Sequence, residues 1–585
     1  MKQKIVQRKA AESDSQNQKK AEIGLPKRKK LNKLDLFLSF FLAVKFSTSP
    51  SYIQTGNCEL NLSVLASFLL HFVFFFLIFH ALKWALDAAL SKGADEVPSC
   101  SDLRDKPLLP DRPWVFPLIW VVIFVCWLPS LVALYPGTLI NDTWGQLFAY
   151  NHFLNGNILS DANPVMTTLF IGFTLNSLES ITGNWHIAFF LYVLAQAAVT
   201  SFSFALTVLY SWRKLRIGTK AAVLMLCAYC FLPMYPASVQ TISKDALSGW
   251  AFVLFSIQFV EIIRTEGQAL AQKKTVVWLT ILALLCALTK KINPYVCLLS
   301  MLVLLFCYFR YWKKLLLSIS VLAGITLVLF QVLYSRGILI PGGKQEMLSV
   351  PFQQSARFVR DHPEEVTEEE YRVLDSVLGM EDLGQRYNPR NADPVKGFSQ
   401  RAEDGEYIEY LRVWAAEGIR EPVTYWKALD AMQAGWFSYT EYIPLLNMDW
   451  HNQLYPALIP EEAAYRTRSA DSAAAYQQAF SDLYSSPVAS FFLSYGFFAA
   501  LLPSLILSIL MHGKGRKTCA AAIIPMALSL VLACYFAPVS IHFEGRRYLY
   551  PVTYTEPLIL AFSFHAYREA ALKRRSPDSS LRSAR

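Results

Sequence analysis

Charged side chains are scarce in this sequence. Asp, Glu, Lys and Arg make up only 17% of its 585 residues, whereas 54% are hydrophobic and 14% are aromatic. Soluble domains average about 25% charged residues. The shortage excludes a large soluble enzyme and predicts an integral membrane protein. Such a protein is mostly helical, because backbone exposed to lipid must satisfy its own hydrogen bonds.

Motifs of several soluble enzyme classes are also missing. No glycine-rich phosphate loop of the Walker or Rossmann kind occurs, which argues against nucleotide binding, and no GxSxG nucleophile elbow is present. The acidic and histidine residues lack metal-ligand spacings such as HxxxH or DxD, so neither a metal nor a cofactor is expected. The 10 cysteines lie mainly in apolar runs and are interpreted as small apolar fillers rather than a disulfide framework.

The positive charge is confined to a few places. A net charge of +10 could suggest nucleic acid, but the basic residues cluster at both ends of the chain and in short loops between apolar runs. That distribution is the positive-inside pattern of membrane proteins. We therefore expect a multi-pass protein of the cell membrane, with both termini cytoplasmic, the lipid bilayer as partner and no nucleic acid.

Twelve apolar runs have the length of a membrane span. They fall near 34–54, 64–87, 113–135, 185–211, 219–237, 246–264, 275–289, 295–310, 314–334, 488–511, 518–538 and 548–567. A further apolar segment, Val165 to Leu178, is predicted to be an interfacial or re-entrant helix. Counting it as a span would invert every later loop and place a basic loop outside.

The predicted fold is an all-α polytopic membrane protein, a bundle of about 12 transmembrane helices with interfacial helices and a small helical external domain. Thr367 and Glu370 predict a capping box within that domain. The predicted parts are a basic cytoplasmic tail (1–33), two extra N-terminal spans with a cytoplasmic loop (34–112), a transmembrane core (113–340) whose first external loop is 136–184, the external domain (341–486), C-terminal spans (487–567) and a cytoplasmic tail (568–585).

The external loop 136–184 holds two carboxylates, Asp142 and Asp161. Carboxylates kept at a membrane face are candidates for function. Asp142 is predicted to be a general base that takes a proton from an acceptor hydroxyl, and the alternative is that it caps a helix starting at Thr143. Asp161 is either a second carboxylate of the site or the N-cap of the next helix. Residues 143–154 are predicted to form an amphipathic helix at the membrane surface.

Cations also lie at predicted external ends of spans, where the topology rule disfavours them. Snorkelling explains any one of them, but it explains five on one face less well. Arginine offers a phosphate a bidentate fork, and lysine offers a point charge. The predicted phosphate-binding residues are Lys244, Lys290, Lys291, Arg546 and Arg547, and the side chains predicted to line the substrate path are Trp144, His152, Asn163, Asn293 and Tyr548.

Several motifs carry a resemblance to membrane transferases. YPGTLINDTWGQL around Asp142, the Asn163-Pro164 pair ahead of an apolar helix, and RRYLYP ending at Pro551 resemble the GT-C glycosyltransferases, which include protein O-mannosyltransferases and lipid A aminoarabinose transferases. SKDAL, TKKINPY, LSVPFQQSARFV and YNPRNADPVK look like an uncharacterised family of bacterial membrane proteins of this type. The resemblance covers most of the chain beyond about residue 110.

The resemblance implies a GT-C-like bundle, a polyprenyl-phosphate-linked sugar donor, metal-independent inverting transfer and Asp142 as the base. The acceptor would be a glycan, lipid or protein of the cell envelope, modified on the external face. Two alternatives are left open. One is a polytopic transporter or flippase of lipid-linked or small substrates, which twelve spans would also suit. The other is a non-catalytic assembly subunit that binds through its external domain.

Overall fold

The structure is a computed structural model, and it describes residues 32–92, 112–397, 402–441, 470–512, 517–535 and 545–575. Most of the predicted N-terminal tail and of the loop ahead of Arg112 lies outside these ranges, as does the chain after Arg575. The side chain of Arg546 also lies outside the description.

The described residues form α-helices joined by short turns, with a few 3-10 and π segments continuing them. The α-helices are α1 Lys33–Thr55, α2 Leu62–Lys92, α3 Val115–Ala133, α4 Asn141–Leu154, α5 Val165–Thr182, α6 Trp185–Arg213, α7 Thr219–Phe231, α8 Met234–Val239, α9 Lys244–Arg264, α10 Lys273–Thr289, α11 Asn293–Cys307, α12 Trp312–Ala323, α13 Phe330–Ser335, α14 Ser349–Asp361, α15 Glu368–Leu378, α16 Leu383–Arg386, α17 Asp393–Lys396, α18 Asp404–Arg420, α19 Pro422–Gln433, α20 Ala470–Ser485, α21 Pro487–Leu493, α22 Leu502–His512, α23 Ile524–Leu530 and α24 Tyr550–Arg575.

Seven helical stretches among the described residues are long and apolar enough to cross a membrane. They are Lys33–Thr55, Leu62–Ala88, Val115–Ala133, Trp185–Arg213, Lys244–Arg264, Phe309–Ser335 and Thr518–Tyr535. The remaining predicted spans also fall on helices, but these are shorter or more polar. Helix α5, predicted to be interfacial, is not among the seven. The fold is thus that of an all-α membrane protein in its main features.

The structure adds short strands that the all-α prediction did not contain. Strand β1 (Thr138–Leu139) pairs in parallel with β3 (Thr241–Ile242), and β2 (Leu159–Ser160) pairs in parallel with β4 (Leu339–Ile340). Each strand has only two residues and lies in a turn between helices. A two-residue strand is too short to show an alternating hydrophobic pattern. These ladders fix the connections at the end of the bundle that carries the site.

The segment predicted as the external domain packs in two places. Its first half has a hydrophobic core of its own, formed by α14, α15 and α18 around Phe352, Leu374 and Tyr410. The predicted capping box at Thr367 and Glu370 is present and begins α15. After α19 the chain turns inward, because Trp436 and Phe437 are buried in the core of the helix bundle.

Polar contacts fasten this segment to the first two helices. Arg357 on α14 donates to the Gly56 carbonyl and to the Asn57 side chain in the α1–α2 loop, both at 3.1 Å. Lys45, near the middle of α1, forms a buried ion pair with Asp430 on α19 and donates to Gln433 at 3.0 Å. Gln433 in turn donates to the Tyr535 carbonyl at 2.7 Å. The end of α19 therefore lies at the depth of the middle of α1.

A buried carboxyl in the segment predicts a pH-dependent stability. Glu417 on α18 is 0% exposed and accepts hydrogen bonds from Ser355 and Tyr425. Burial raises its pKa from 4.5 to about 7. The folded protein then holds a proton that the unfolded chain has lost, so stability falls as pH rises through this window. The expected loss is about 2–3 kcal/mol between pH 5 and 8.

Thermal unfolding of the purified protein in detergent between pH 5 and 8 measures this slope. Glu417→Gln should flatten the slope, because the amide does not titrate. Glu409→Gln, at an exposed position on the same helix, should leave it unchanged. A Glu417→Gln protein that kept the wild-type slope would contradict the assignment.

Candidate active site

The β1–β3 ladder sets the geometry of the site. Its register pairs Thr138 with Thr241 and Leu139 with Ile242. Helix α4 begins two residues after β1, and α9 begins two residues after β3. The two helix N-termini therefore lie side by side, with Asp142 in the first turn of α4 and Lys244 and Asp245 in the first turn of α9.

Three local features hold this arrangement. Gly137, just before β1, has φ +117°, and a Cβ there would lie 2.6 Å from Val193 Cγ2, so only glycine fits the turn. Ser243 caps α9 by accepting from the Ala246 amide at 3.1 Å. The Thr143 hydroxyl donates to the Ile242 carbonyl and ties α4 to β3.

Asp142 pairs with two cations from distant parts of the chain. Its Oδ2 atom lies 2.8 Å from Lys244 Nζ and also contacts Arg547 Nη1. These cations hold the pKa of the Asp142 carboxyl well below its usual range, even though burial alone would raise it. The side chain therefore stays ionised. All three side chains keep 15–25% exposure, so the group is open to a ligand.

A second carboxylate, Asp245, completes this network. It is 1% exposed, its Oδ1 lies 2.6 Å from Lys290 Nζ, and its Oδ2 lies 3.8 Å from Arg547 Nη1. Both cations also lie near one aromatic ring, since Lys290 Nζ and Arg547 Cζ are 5.5 and 5.3 Å from the ring centre of Tyr548. The sequence reasoning assigned Asp245 no role. Its position directly after Lys244, in the same first helical turn, was the available signal.

Asp161 forms a neighbouring pair through the β2–β4 ladder. Its amide donates to the Ile340 carbonyl at 2.8 Å, and its carboxylate accepts from the Tyr334 hydroxyl and lies 3.5 Å from Lys291 Nζ. Gly342 approaches so closely that a Cβ would lie 2.6 Å from the Asp161 carbonyl and 2.7 Å from Lys291 Nζ. The Pro341-Gly342-Gly343 turn thus closes over this pair.

The whole cluster has a small positive excess. Four cations, Lys244, Lys290, Lys291 and Arg547, face three carboxylates, Asp142, Asp161 and Asp245, which leaves one positive charge. The N-termini of α4 and α9 add the positive ends of two helix dipoles. Cations and helix N-termini together favour an anion such as a phosphate.

The structure corrects the roles considered for the two loop carboxylates. Helix α4 starts at Asn141 after Ile140, so Asp142 lies inside the first turn and does not cap a helix starting at Thr143. Helix α5 starts after Pro164, so Asp161 is not its N-cap. Both carboxylates instead contact cations.

Three residues predicted to line the substrate path lie elsewhere. Trp144 is 3% exposed and packs in the bundle core, because its position on α4 faces inward. Asn293 is 0% exposed and donates to Ser248 and to the Cys286 carbonyl, so it fastens α11 to its neighbours. His152 is exposed and lies against Phe148, about 15 Å along α4 from Asp142 at the helical rise per residue.

Asn163 and Tyr548 lie within the charged network, in different ways. The Asn163 side-chain oxygen accepts from Lys244 Nζ, so this residue positions the cation. Tyr548 presents its ring to Lys290 and Arg547. Gln146 joins α4 to α5 by donating to Thr167 and Thr168, which places the two loop helices against each other.

Possible metal ligands lie away from this cluster. Among the described residues, His362, Glu364 and Glu365 bring their ligand atoms within 4.8 Å of one another, but they lie just after α14 in the segment predicted to be external. Cys227 and Cys230 have a CxxC spacing on α7, so the cysteines do include one metal-ligand spacing, contrary to their interpretation as apolar fillers without one. Cys227 is exposed on the helix surface while Cys230 is buried, and both are free. His451, His542 and Glu544 lie outside the described residues.

Comparison with known proteins places the chain in a family without assigning an activity. No curated protein and no solved structure matches it. One protein family matches residues 151–577, which is more than half of the chain and includes Lys244, Lys290 and Arg547. The chain therefore belongs to DUF6020, a family of unknown function.

Proposed function

We propose that the protein is a membrane glycosyltransferase that moves a sugar from a polyprenyl-phosphate donor to a cell-envelope acceptor. The observation that carries the proposal is the contact of one carboxylate, Asp142, with Lys244 and Arg547. When a hydroxyl displaces a phosphate, a base takes the hydroxyl proton and cations stabilise the leaving phosphate, and this contact brings both kinds of group to one site. The resemblance to GT-C transferases supports the same chemistry.

In the proposed reaction, the acceptor hydroxyl oxygen attacks the anomeric carbon of the donor sugar. Its proton passes to the Asp142 carboxylate, which acts as the general base. The bond between the anomeric carbon and the phosphate oxygen breaks, and polyprenyl phosphate leaves with the electron pair. Lys244 and Arg547 stabilise the charge that develops on the leaving phosphate. Attack from the face opposite the phosphate inverts the anomeric centre.

The other cations support this site. Lys290 is held by buried Asp245 and helps place Arg547, since both cations contact the Tyr548 ring. Lys291, which is 46% exposed, lies beside Asp161 and faces an approaching ligand more openly. Arg546 is assigned to the donor phosphate from the sequence alone. No metal takes part in the proposed reaction.

The proposed topology has about twelve spans, with the charged cluster external and both termini cytoplasmic. Several polar contacts of basic residues at the opposite end of the bundle agree with this orientation. There His565 contacts the Leu215 carbonyl, Arg568 donates to the Arg216 carbonyl, and Lys314 donates to the Leu270 carbonyl. Basic residues at that end fit a cytoplasmic face.

Transfer can be measured in membranes supplied with radiolabelled polyprenyl-phosphate sugars. Overexpression of the wild-type protein should increase label in envelope glycan, lipid or protein. Uptake or flipping of the donor without a covalent product would instead favour a transporter. Single cysteines placed at the exposed positions His152 and Lys344 should react with a membrane-impermeant maleimide added to intact cells. Reaction only after lysis would reverse the proposed orientation.

A further inference from the structure

The site holds its base and its phosphate-binding cations in contact with one another. Lys244 and Arg547 both contact the same oxygen of Asp142, Oδ2. Asn163 fixes Lys244 from the other side, and Arg547 lies 3.8 Å from Asp245. A phosphate that binds these two cations therefore competes with the Asp142 carboxylate for them.

The remaining cations differ from this pair. Lys290 is 8% exposed and its partner Asp245 is 1% exposed, so this ion pair is buried and remains when a ligand enters. Lys291 pairs with Asp161 at the longer distance of 3.5 Å. Lys244 and Arg547 are thus the cations whose release changes the state of the base.

We propose that the ion pairs of Asp142 with Lys244 and Arg547 form a latch, which the phosphate of the donor opens. The donor then binds first, and its binding frees Asp142 to act as the base for the acceptor. The identity of the ligand as a sugar donor rests on the proposed function. The latch itself requires only an anionic phosphate ligand. With the cations engaged by phosphate, Asp142 loses the charges that hold it ionised, and a nearby acceptor hydroxyl becomes its hydrogen-bond partner. Before donor binds, the same carboxylate is a poor base.

The ordering has a chemical benefit. A carboxylate that already pairs with two cations does not activate a hydroxyl or water when no donor is present. Once donor is bound, the two cations turn from Asp142 to the leaving phosphate, so the base gains proton affinity only where the reaction will occur. The latch therefore couples donor recognition to activation of the acceptor.

The latch predicts that one substitution, Asp142→Asn, strengthens phosphate binding while it abolishes the base. Removing the Asp142 charge leaves Lys244 and Arg547 free for phosphate, so Asp142→Asn should bind a prenyl phosphate more tightly even though it cannot act as a base. We expect a gain of about tenfold in affinity for geranylgeranyl phosphate. Isothermal titration calorimetry of the purified protein in detergent at low ionic strength measures it.

Asp161→Asn is the matched control, because it changes the net charge of the cluster by the same amount without touching Lys244 or Arg547. It also frees Lys291, so its affinity should rise, but by less than about threefold, because Lys291 pairs with Asp161 at the longer distance of 3.5 Å and is already 46% exposed. Equal gains in both variants would reduce the effect to general electrostatics and overturn the latch. Unchanged or weaker binding by Asp142→Asn would do the same.

Two further variants guard against a folding defect. Asp142→Ser removes the same charge with a different side chain and should also bind more tightly, and Lys244→Gln should bind more weakly.

The failure of the latch and the failure of the proposed function give different results. Tighter binding by Asp142→Asn, with no transfer by the wild-type protein from any polyprenyl-phosphate sugar, would keep the latch and reject the transferase. Transfer by the wild-type protein, with no tightening in Asp142→Asn, would do the reverse.

Discussion

Asp142→Asn is expected to lower sugar transfer by about 10²- to 10⁴-fold, the usual contribution of a general base. The amide has nearly the shape of the carboxylate but cannot accept the proton of the acceptor hydroxyl. It also ends the ion pairs with Lys244 and Arg547. The rate of label transfer from a radiolabelled polyprenyl-phosphate sugar, in membranes with matched expression, measures the effect.

The control is Glu409→Gln, which removes a carboxylate from an exposed position on α18. It should keep full transfer activity. An Asp142→Asn protein with wild-type transfer would show that Asp142 is not the base, while leaving the class of reaction open to another carboxylate such as Asp161. Asp161→Asn, measured beside it, separates the two.

Lys45→Met is expected to destabilise the protein by about 3–5 kcal/mol, the usual cost of leaving one partner of a buried ion pair uncompensated. Lys45 and Asp430 have side-chain exposures of only 8% and 6%. Asp430 would then be a buried carboxylate without its cation. The loss should appear as a lower apparent melting temperature of the purified protein in detergent.

The double variant Lys45→Met with Asp430→Leu removes both charges and should recover most of the loss, because an apolar pair in the same space is often neutral or stabilising. The exposed substitution Arg412→Met on α18 should change stability by less than about 0.5 kcal/mol. A Lys45→Met protein as stable as the wild type would mean that α19 does not enter the bundle beside α1.

The helices were the most predictable part of the fold. Apolar runs of 20 or so residues predict membrane spans because the bilayer sets their length, and Lys33–Thr55, Trp185–Arg213 and Lys244–Arg264 fall where expected. The course of α19 was not predictable in the same way. Its sequence carries Asp430 and Gln433 and looks external, and it enters the bundle only because Lys45 and the Tyr535 carbonyl compensate those groups there.

The candidate site was predictable in its charges but not in its contacts. Asp142, Lys244 and Arg547 were chosen because each lies at the expected outer end of a span, and the structure brings them together. Asp245 was missed because its partner, Lys290, lies 45 residues away in the sequence. Trp144 was placed in the substrate path because it is near Asp142 in sequence, but the helical rotation between them turns it into the core.

The sequence by itself determined that the chain is a helical membrane protein and that one end of its bundle gathers both acidic and basic side chains. Composition and the lengths of apolar runs carry that information, because burial in lipid constrains every residue of a span in the same way. Only the tertiary structure decided which charges pair. A two-residue parallel register brings the N-termini of α4 and α9 together, and such contacts between distant residues leave no periodic trace in the chain.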